Sequence, residues 1–351
     1  MDVGGRLTEP PDHLWMNLEL GMNGATGAIF VGAEMYVPVG NHPSPTQVAC
    51  QNPGVQIGMT MPVMEPHLDA ATLKTWATAI DDGPFSSLCW GERICFDNPE
   101  TLTLLGALSA WTERVRLVTT VIVPQLHDPV MLAKALATGD MLSGGRLTVG
   151  FGVGGRHEDY QSVGADTASQ TMRGMAERVA VMNRVWAGEK TTDSVLPVGP
   201  PPVQTAGPRL LVGTIGPKTI RSAAGWADGL AGTTLDLNVD RESELFDVAR
   251  TAWAEADKPA PHLATSFWFA VGDDDAARAQ VHRHLRRYMN WIPAEFVDAM
   301  APTTGWAGDE DDLRTVLRRF EEIGADEVHL IPTSSDVDQL RRVADAVADF
   351  R

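Results

Sequence analysis

From residue 55 onward, strand-like and helix-like segments alternate along the chain, and this alternation constrains the fold more than any other feature. The strand-like segments are short runs of β-branched and other apolar residues, whereas the helix-like segments carry apolar residues every three or four positions. Eight such units predict an α/β protein that forms a single (β/α)8 TIM-type barrel. The predicted strands are residues 55–61, 85–90, 115–123, 146–152, 208–214, 228–233, 263–271 and 326–333. The predicted helices are residues 68–80, 99–112, 129–145, 167–187 and 217–227, one after the acidic run 273–275, and one that ends at Gly324.

Residues 1–53 lack such a period and are rich in Gly, Pro and Asn. One segment, residues 28–37, could form an isolated strand. We therefore predict an irregular or mobile N-terminal extension over residues 1–53, followed by the barrel domain over residues 54–351. A structured cap over the site and a start codon assigned too far upstream are the alternatives.

A glycine-rich segment, GGRLTVGFGVGGRHEDY at residues 144–160, contains the pattern G-x-G-x-x-G at Gly150, Gly152 and Gly155. In a Rossmann domain this pattern follows the first strand, and its third glycine opens a helix. Here the pattern follows the fourth predicted strand, and a polar stretch comes next, so it does not predict a dinucleotide site. In a barrel these glycines, with Gly154, lie where a strand ends. They allow either the close approach of a flat cofactor or a tight turn.

A second glycine segment, VGTIGPKT at residues 212–219, follows the fifth predicted strand. Pro217 suits the first position of a helix, and the amides of Lys218 and Thr219 are then left without helical partners. Such a helix start attracts phosphate. The segment therefore predicts a phosphate site, with an ordinary turn as the alternative, although barrel phosphate sites usually follow strands seven and eight.

Three segments resemble the signature of the bacterial luciferase-like monooxygenase family. They are HDPVMLAKALATGDMLSGGRLTVGFGVGGRHEDYQSVG at residues 127–164, GPRLLVGTIGPKTIRSAAGWADGL at residues 207–230 and LRRFEEIGADEVHLIP at residues 317–332. The resemblance extends over about residues 55–350. It implies a (β/α)8 barrel that binds reduced FMN or the deazaflavin coenzyme F420. The phosphate would lie against the segment matching 213–219, and the ring would lie near the ends of strands two, three and four.

The resemblance assigns site residues position by position. Glu92 matches an acid at the end of strand two, whereas Arg93 stands where many members carry a proton-handling histidine, and His157 stands near an expected aromatic position. We predict that Glu92 and His157 move protons and that Arg93 stabilises negative charge or holds the substrate. The predicted cofactor contacts are Thr119, Thr120, Val121, Gly152, Gly154, Gly213, Thr214, Ile215, Gly216, Lys218 and Thr219.

By the same resemblance the chain is an oxidoreductase acting on a small organic substrate, by hydride transfer with F420 or by oxygenation with reduced FMN. The signature around residues 143–160 favours F420, whereas Glu92 is the acid more often found in FMN-using members. Lys218 and Arg221 could face the anionic tail of F420. A non-enzymatic flavin-binding or storage protein of the same fold is the alternative, because the usual histidine is missing.

The formal net charge of −18 argues against nucleic acids and anionic membranes as partners. The sequence contains no apolar run of about 18 residues and no evident signal peptide, so neither a membrane span nor secretion is expected. Cys50, Cys89 and Cys95 have no metal or redox spacing, which favours a reducing, cytoplasmic setting. The sequence also allows a homodimer.

The histidines predict no metal site. Residues 157–160 do not extend to H-E-x-x-H, and His282 and His284, two positions apart on a predicted helix, lie on different faces of it. We expect His127 to cap a helix or lie at the barrel rim rather than to act as a catalyst.

Overall fold

The computed structural model describes residues 54–272 and 275–350. The predicted N-terminal extension, residues 1–53, lies outside the described residues. The strands are β1 (Gln56–Thr60), β2 (Ser87–Trp90), β3 (Arg116–Ile122), β4 (Leu147–Phe151), β5 (Arg209–Val212), β6 (Gly229–Ala231), β7 (His262–Val271), β8 (Trp306–Gly308) and β9 (Glu327–Pro332).

Eight of these strands close a parallel barrel, which confirms the predicted fold class. Strands β1 to β7 pair in sequence order, β7 pairs with β9, and β9 returns to β1 with Gln56 beside Glu327. All eight predicted barrel strands are present. The short strand β8 was not predicted, and it pairs with the last three residues of the ten-residue strand β7.

Helices connect the strands and cover the outside of the barrel. Asp69 accepts a hydrogen bond from the Thr72 amide, so the first helix begins at residue 70 and not at residue 68 as predicted. Asp128 caps the third helix in the same way, with Pro129 in its first turn. The helices are α1 (Ala70–Asp82), α2 (Thr101–Trp111), α3 (Pro129–Leu142), α4 (His157–Ser162), α5 (Met172–Trp186), α6 (Pro217–Ala223), α7 (Val239–Glu255), α8 (Asp275–Tyr288), α9 (Ala294–Met300), α10 (Glu310–Glu322) and α11 (Val337–Val347).

Four of these helices, α4, α7, α9 and α11, were not predicted. Helix α7 buries Phe246, Ala249 and Trp253, but charged residues separate them and weaken the apolar period. Helix α11, in contrast, carries apolar Leu340, Val343 and Val347 at helical spacing. Tertiary packing therefore stabilises α7 despite its weak apolar period.

A polar network fills the amino-terminal end of the barrel. Glu327, the first residue of β9, is 1% exposed and accepts hydrogen bonds from Ser86 and Ser87, each at 2.6 Å, and from Arg116 at 2.7 Å. His329 lies one layer further in, 3.4 Å from the Glu327 carboxylate. Burial alone would raise the pKa of Glu327, but Arg116 and His329 outweigh it and hold the pKa well below its usual value. This network occupies the end of the barrel opposite the carboxyl ends of the strands.

Candidate active site

A cavity of about 60 Å³ lies at the carboxyl ends of the barrel strands, the location of catalytic chemistry in such barrels. Typical ligand pockets have ~300–1,000 Å³, so this cavity is smaller than most of them. A second cavity of about 330 Å³ lies on the outer helices around Val130, Val181 and Val185, away from the strand ends. The residues lining the first cavity are Thr60, Met61, Pro62, Val63, Met64, Gly91, Thr120, Trp268, His284, Tyr288, Ile331 and Pro332.

A buried histidine–carboxylate pair borders the first cavity. Nδ1 of His284, on α8, lies 2.5 Å from Oε1 of Glu65, in the loop after β1. Nε2 of His284 is buried and has no hydrogen-bond partner among the described residues. The imidazole stacks on the Tyr288 ring, with 6.0 Å between centroids and 9° between planes. A histidine that is oriented through one nitrogen and free at the other can transfer protons.

Glu92 is anchored through both of its carboxylate oxygens. Oε2 accepts a hydrogen bond from the Val123 amide at 2.9 Å, and Oε1 lies 2.8 Å from Nε2 of His127. His127 was expected to cap a helix or lie at the rim, but Asp128 is the cap of α3, and the His127 side chain contacts Glu92. Glu92, the acid predicted at the end of strand two, is therefore in contact with a histidine that was not predicted to act as a catalyst.

Arg93 extends away from Glu92 into a group of aromatic rings. Its Nη1 donates to the carbonyl oxygen of Tyr288 at 2.9 Å, and its guanidinium carbon lies 4.1 Å from the Phe96 ring centroid and 5.3 Å from that of Trp291. Burial and, to a smaller extent, the neighbouring charge of Arg156 together lower the pKa of Arg93 to about 10. Arg93 remains a cation at neutral pH.

The end of β3 supplies one wall of the cavity. Thr120 lines the cavity, and the peptide bond between Thr120 and Val121 is cis. Thr119 is buried, and its hydroxyl donates to the carbonyl oxygen of Gly150 at 3.1 Å and accepts from the Gly150 amide at 3.0 Å. Of the three predicted contacts on β3, Thr120 is thus the one that borders the cavity.

Glycines that directly follow two neighbouring strands, β4 and β5, make room for Val121. A Cβ at Gly152 would lie 2.6 Å from Cγ2 of Val121, and a Cβ at Gly213 would lie 2.6 Å from Cγ1. Gly154 has φ +65°, a left-handed conformation that favours glycine. The sequence allows two reasons for these glycines, a flat ligand or a tight turn. The structure adds a third reason, the packing of Val121.

The predicted phosphate segment forms the start of α6. Gly216 precedes the helix without a side-chain cap, and the amides of Lys218 and Thr219 donate to no group in the described part of the chain. The hydroxyls of Thr214 and Thr219 are hydrogen-bonded to each other, and Thr219 also donates to the Gly216 carbonyl at 2.7 Å. Ile215 and Lys218 are exposed. The segment therefore presents free amides and one cation at the surface.

His157 is the first residue of α4 and is exposed. No side-chain hydrogen bond or ion pair connects it with another described residue, so nothing in the structure fixes its ring. Helix α4 buries Asp159 and Tyr160 instead, and the Tyr160 hydroxyl donates to the Val153 carbonyl at 2.8 Å.

Sequence reasoning missed Glu65, Arg156, His284 and Tyr288. His284 lies 219 residues from Glu65, and no local pattern connects the two. Tyr288 lies one helical turn after His284, so the spacing of these two residues was the available signal.

The residues present fit a flat cofactor that carries a phosphate. Met61, Val63 and Ile331 give the cavity apolar walls, and the free amides at the start of α6 suit an anion. Among the described residues no group of three or more His, Cys, Asp or Glu side chains could bind a metal ion. No helix in the described ranges has both the length and the apolar character needed to cross a bilayer.

Comparison with known proteins identifies several relatives. An uncharacterized protein of Mycobacterium tuberculosis is 35% identical over 160 residues, which is 43% of this chain and 55% of that protein. The F420-dependent glucose-6-phosphate dehydrogenase of Microbacterium testaceum is 33% identical over 96 residues, 27% of this chain and 29% of that enzyme. The chain thus aligns with about half the length, or less, of these relatives.

A solved structure and a family model also match this chain. The crystal structure of a monooxygenase from Streptomyces bottropensis superposes with a TM-score of 0.68 at 20% identity, covering 84% of this chain and 98% of that one, and so shares the fold. The family model for luciferase-like monooxygenases matches residues 52–330. The chain therefore belongs to the luciferase-like monooxygenase family, whose members are F420- or FMN-dependent oxidoreductases and monooxygenases.

Proposed function

We propose that this chain is an F420-dependent oxidoreductase that transfers hydride to or from an oxygen-bearing carbon of a small organic substrate. The observation that carries the proposal is the pair Glu65–His284, because it places an oriented imidazole at the cavity where a substrate would react. Oxidation of an alcohol removes a hydride from carbon and a proton from oxygen, and reduction of a carbonyl reverses both transfers. Such a reaction therefore needs a residue that handles the proton.

His284 would handle this proton. Its Nδ1–H donates to Glu65, which leaves Nε2 as an acceptor for a substrate hydroxyl proton. Glu65 is 6% exposed and would stabilise the imidazolium that forms. In the reverse direction the imidazolium would return the proton to the carbonyl oxygen. Trp268 and Tyr288, which pack near the imidazole, would exclude water.

Residues at the strand ends would hold the cofactor. The ring would lie against Thr120 and the apolar cavity walls, and the phosphate would bind the amides of Lys218 and Thr219. Bound there, F420 would accept or supply the hydride. The proposal of F420 is supported by the signature around residues 143–160 and by the F420-dependent dehydrogenase among the relatives.

Oxygenation with reduced FMN is the second candidate. Glu92 favours it, since this acid is typical of FMN-using members and is here paired with His127. Relatives of this chain include a monooxygenase acting on limonene, from Rhodococcus erythropolis. A third possibility, a flavin-binding or storage protein, predicts binding without turnover.

Spectroscopic titration separates these candidates. Wild-type protein is titrated with F420 and with FMN, and the bound form of each is then assayed for turnover with a panel of alcohols and carbonyl compounds. We expect F420 to bind and to be reduced or oxidised by at least one of these compounds without oxygen consumption. Binding of FMN alone, with oxygen uptake matched by formation of an oxygenated product, would instead establish the oxygenase, and binding without any turnover would support the storage protein.

A further inference from the structure

Two arginines from different loops meet against the same aromatic rings beside the cavity. Arg93, after β2, is 4% exposed, and Arg156, just before α4, is 8% exposed. The guanidinium carbon of Arg156 lies 3.9 Å from the Trp291 ring centroid and 5.2 Å from that of Tyr288. The guanidinium carbon of Arg93 lies 5.3 Å and 5.6 Å from the same two rings. The rings orient both guanidinium groups and limit their contact with water.

Negative charge near the two guanidinium groups is scarce. Asp159 is the one carboxylate within 4.0 Å of Arg156, at 3.8 Å, and Arg93 has none among the described residues. Oδ1 of Asp159 already accepts hydrogen bonds from the amides of Ile94 and Cys95, at 3.3 Å and 2.7 Å. The two buried cations therefore have one carboxylate within ion-pair distance, and it is partly occupied, while the charge of Glu158 acts on Arg93 from further away.

Hydrogen-bond donors of both arginines are also free. The Nε atoms of Arg93 and Arg156 are buried without an acceptor in the part of the chain that the structure describes. The Arg156 side chain makes no hydrogen bond to any described residue, whereas Arg93 donates to the Tyr288 carbonyl and, at 3.5 Å, to Oδ1 of Asn290. Unpaired buried donors and cations are costly, and a bound oxyanion would satisfy both.

We propose that Arg93 and Arg156 form a subsite for an oxyanion, a carboxylate or phosphate group, of the organic substrate. Arginine forks bind both groups through paired charge-assisted hydrogen bonds. The subsite adjoins the reacting centre, because the Tyr288 ring that contacts both guanidinium groups also stacks on His284. The assignment to the substrate rests on the proposed function of His284, whereas the anion site itself stands on the arginines alone.

Anion binding can be measured before the substrate is known. Inorganic phosphate and benzoate serve as probes in calorimetric titrations at low ionic strength, with benzamide as the uncharged control. We expect wild-type protein to bind an anionic probe more tightly than benzamide. Arg156→Gln should weaken this binding by about tenfold or more, and Arg156→Lys, which retains the charge but not the fork, by less. Arg173→Gln, an exposed arginine on α5, is the matched control and should bind as wild type does.

Three outcomes overturn the proposal. One is the absence of anion binding to wild-type protein, and another is equal binding by Arg156→Gln and Arg173→Gln when both melt like wild type. The third is competition: if F420 or FMN displaces the probe from the site that Arg156→Gln weakens, and not only from the amides at the start of α6, the oxyanion belongs to the cofactor and not to the substrate. If the probe binds the F420 complex and Arg156→Gln binds F420 normally, the substrate subsite is supported. Failure of F420 turnover with intact anion binding would reject the hydride-transfer function and leave the anion site.

Discussion

Nδ1 of His284 lies 2.5 Å from Oε1 of Glu65, and this contact joins helix α8 to the loop after the first barrel strand across 219 residues of sequence. The pair places a carboxylate-oriented imidazole beside the cavity in a chain whose position 93, where many family members carry histidine, is arginine. We propose that His284 takes the place in space of the histidine that the family resemblance implies at position 93.

Replacing His284 should reduce turnover much more than it reduces stability. His284→Gln removes the proton acceptor, and loss of a general acid or base typically costs about 10²–10⁴-fold in rate. We expect a fall of that order in kcat/KM with F420, with F420 affinity changed little. His282→Gln is the control, because His282 lies on the same helix but pairs with Asp298 at the surface. Equal activity of the two variants would show that His284 does not handle the proton.

Much of the barrel could be predicted from sequence, and the site could be predicted only in part. Strands such as β3 and β7 carry apolar runs long enough to be recognised locally, whereas β8 has three residues and exists because β7 extends far enough to pair with it. Glu92 was found because the family resemblance contains it, whereas the phosphate segment was predicted from Pro217 and the amides that follow it, and the resemblance then agreed. The contacts of Glu65 with His284, and of Arg93 with Trp291, depend on the closure of the barrel, which no local spacing encodes.

Substitution at Gly152 should destabilise the protein through Val121. An alanine Cβ would lie 2.6 Å from Cγ2 of Val121, a branched side chain with little freedom to move. Overpacking of this kind costs about 1–3 kcal/mol, so Gly152→Ala should lower the free energy of unfolding by that amount. Adding Val121→Ala should recover part of the loss in a double-mutant cycle measured by urea unfolding. Gly155→Ala, where a Cβ meets nothing within 4 Å, is the control. A destabilisation by Gly155→Ala equal to that by Gly152→Ala would contradict this account.

The buried pair Glu327–His329 should make stability depend on pH in two ranges. Burial alone would lower the pKa of His329, but Cys89 and Glu327 outweigh it and raise the pKa to about 10. Because the folded pKa of His329 exceeds its unfolded value, this histidine stabilises the folded state fully below about pH 6.5. The stabilisation is lost as the pH rises toward 10. The pKa of Glu327 is lowered, so its contribution is present above the unfolded pKa of about 4.5 and is lost as the pH falls through the folded pKa.

Comparison with His329→Asn tests this linkage. The variant should be less stable than wild type at pH 6, and the difference in free energy of unfolding should shrink toward pH 10. Each unit by which the folded pKa exceeds the unfolded pKa corresponds to about 1.4 kcal/mol, so the trend is measurable by urea unfolding at a series of pH values. A difference that stays constant from pH 6 to pH 10 would mean that His329 does not titrate with a raised pKa.

A negative charge at the start of α6 should weaken cofactor binding. Gly216 has φ −120°, so aspartate is accommodated there without backbone strain, but its carboxylate would repel a phosphate at the amides of Lys218 and Thr219. Each charge-assisted hydrogen bond lost costs about 1.5–3 kcal/mol, so Gly216→Asp should raise the Kd for the cofactor by about tenfold to several hundredfold. Gly225→Asp, an exposed position with nothing within 4 Å of a Cβ, adds the same charge elsewhere and should bind normally. Normal binding by Gly216→Asp would move the phosphate to another site.

Neutralising two cations on α6 should distinguish F420 from FMN. Lys218 and Arg221 are exposed one helical turn apart beside the proposed phosphate position. The tail of F420 carries further negative charge beyond its phosphate, which FMN lacks, so the double variant Lys218→Gln/Arg221→Gln should lose much more affinity for F420 than for FMN. The loss should diminish at high salt, since exposed charges are screened. Arg173→Gln/Lys190→Gln lowers the net charge equally at other exposed positions and should change neither affinity. If both cofactors lose affinity to the same extent in the α6 variant, the two cations contact the shared phosphate and not the tail. Micromolar binding of FMN by wild-type protein with no binding of F420 would reject F420 and make the oxygenase the leading function.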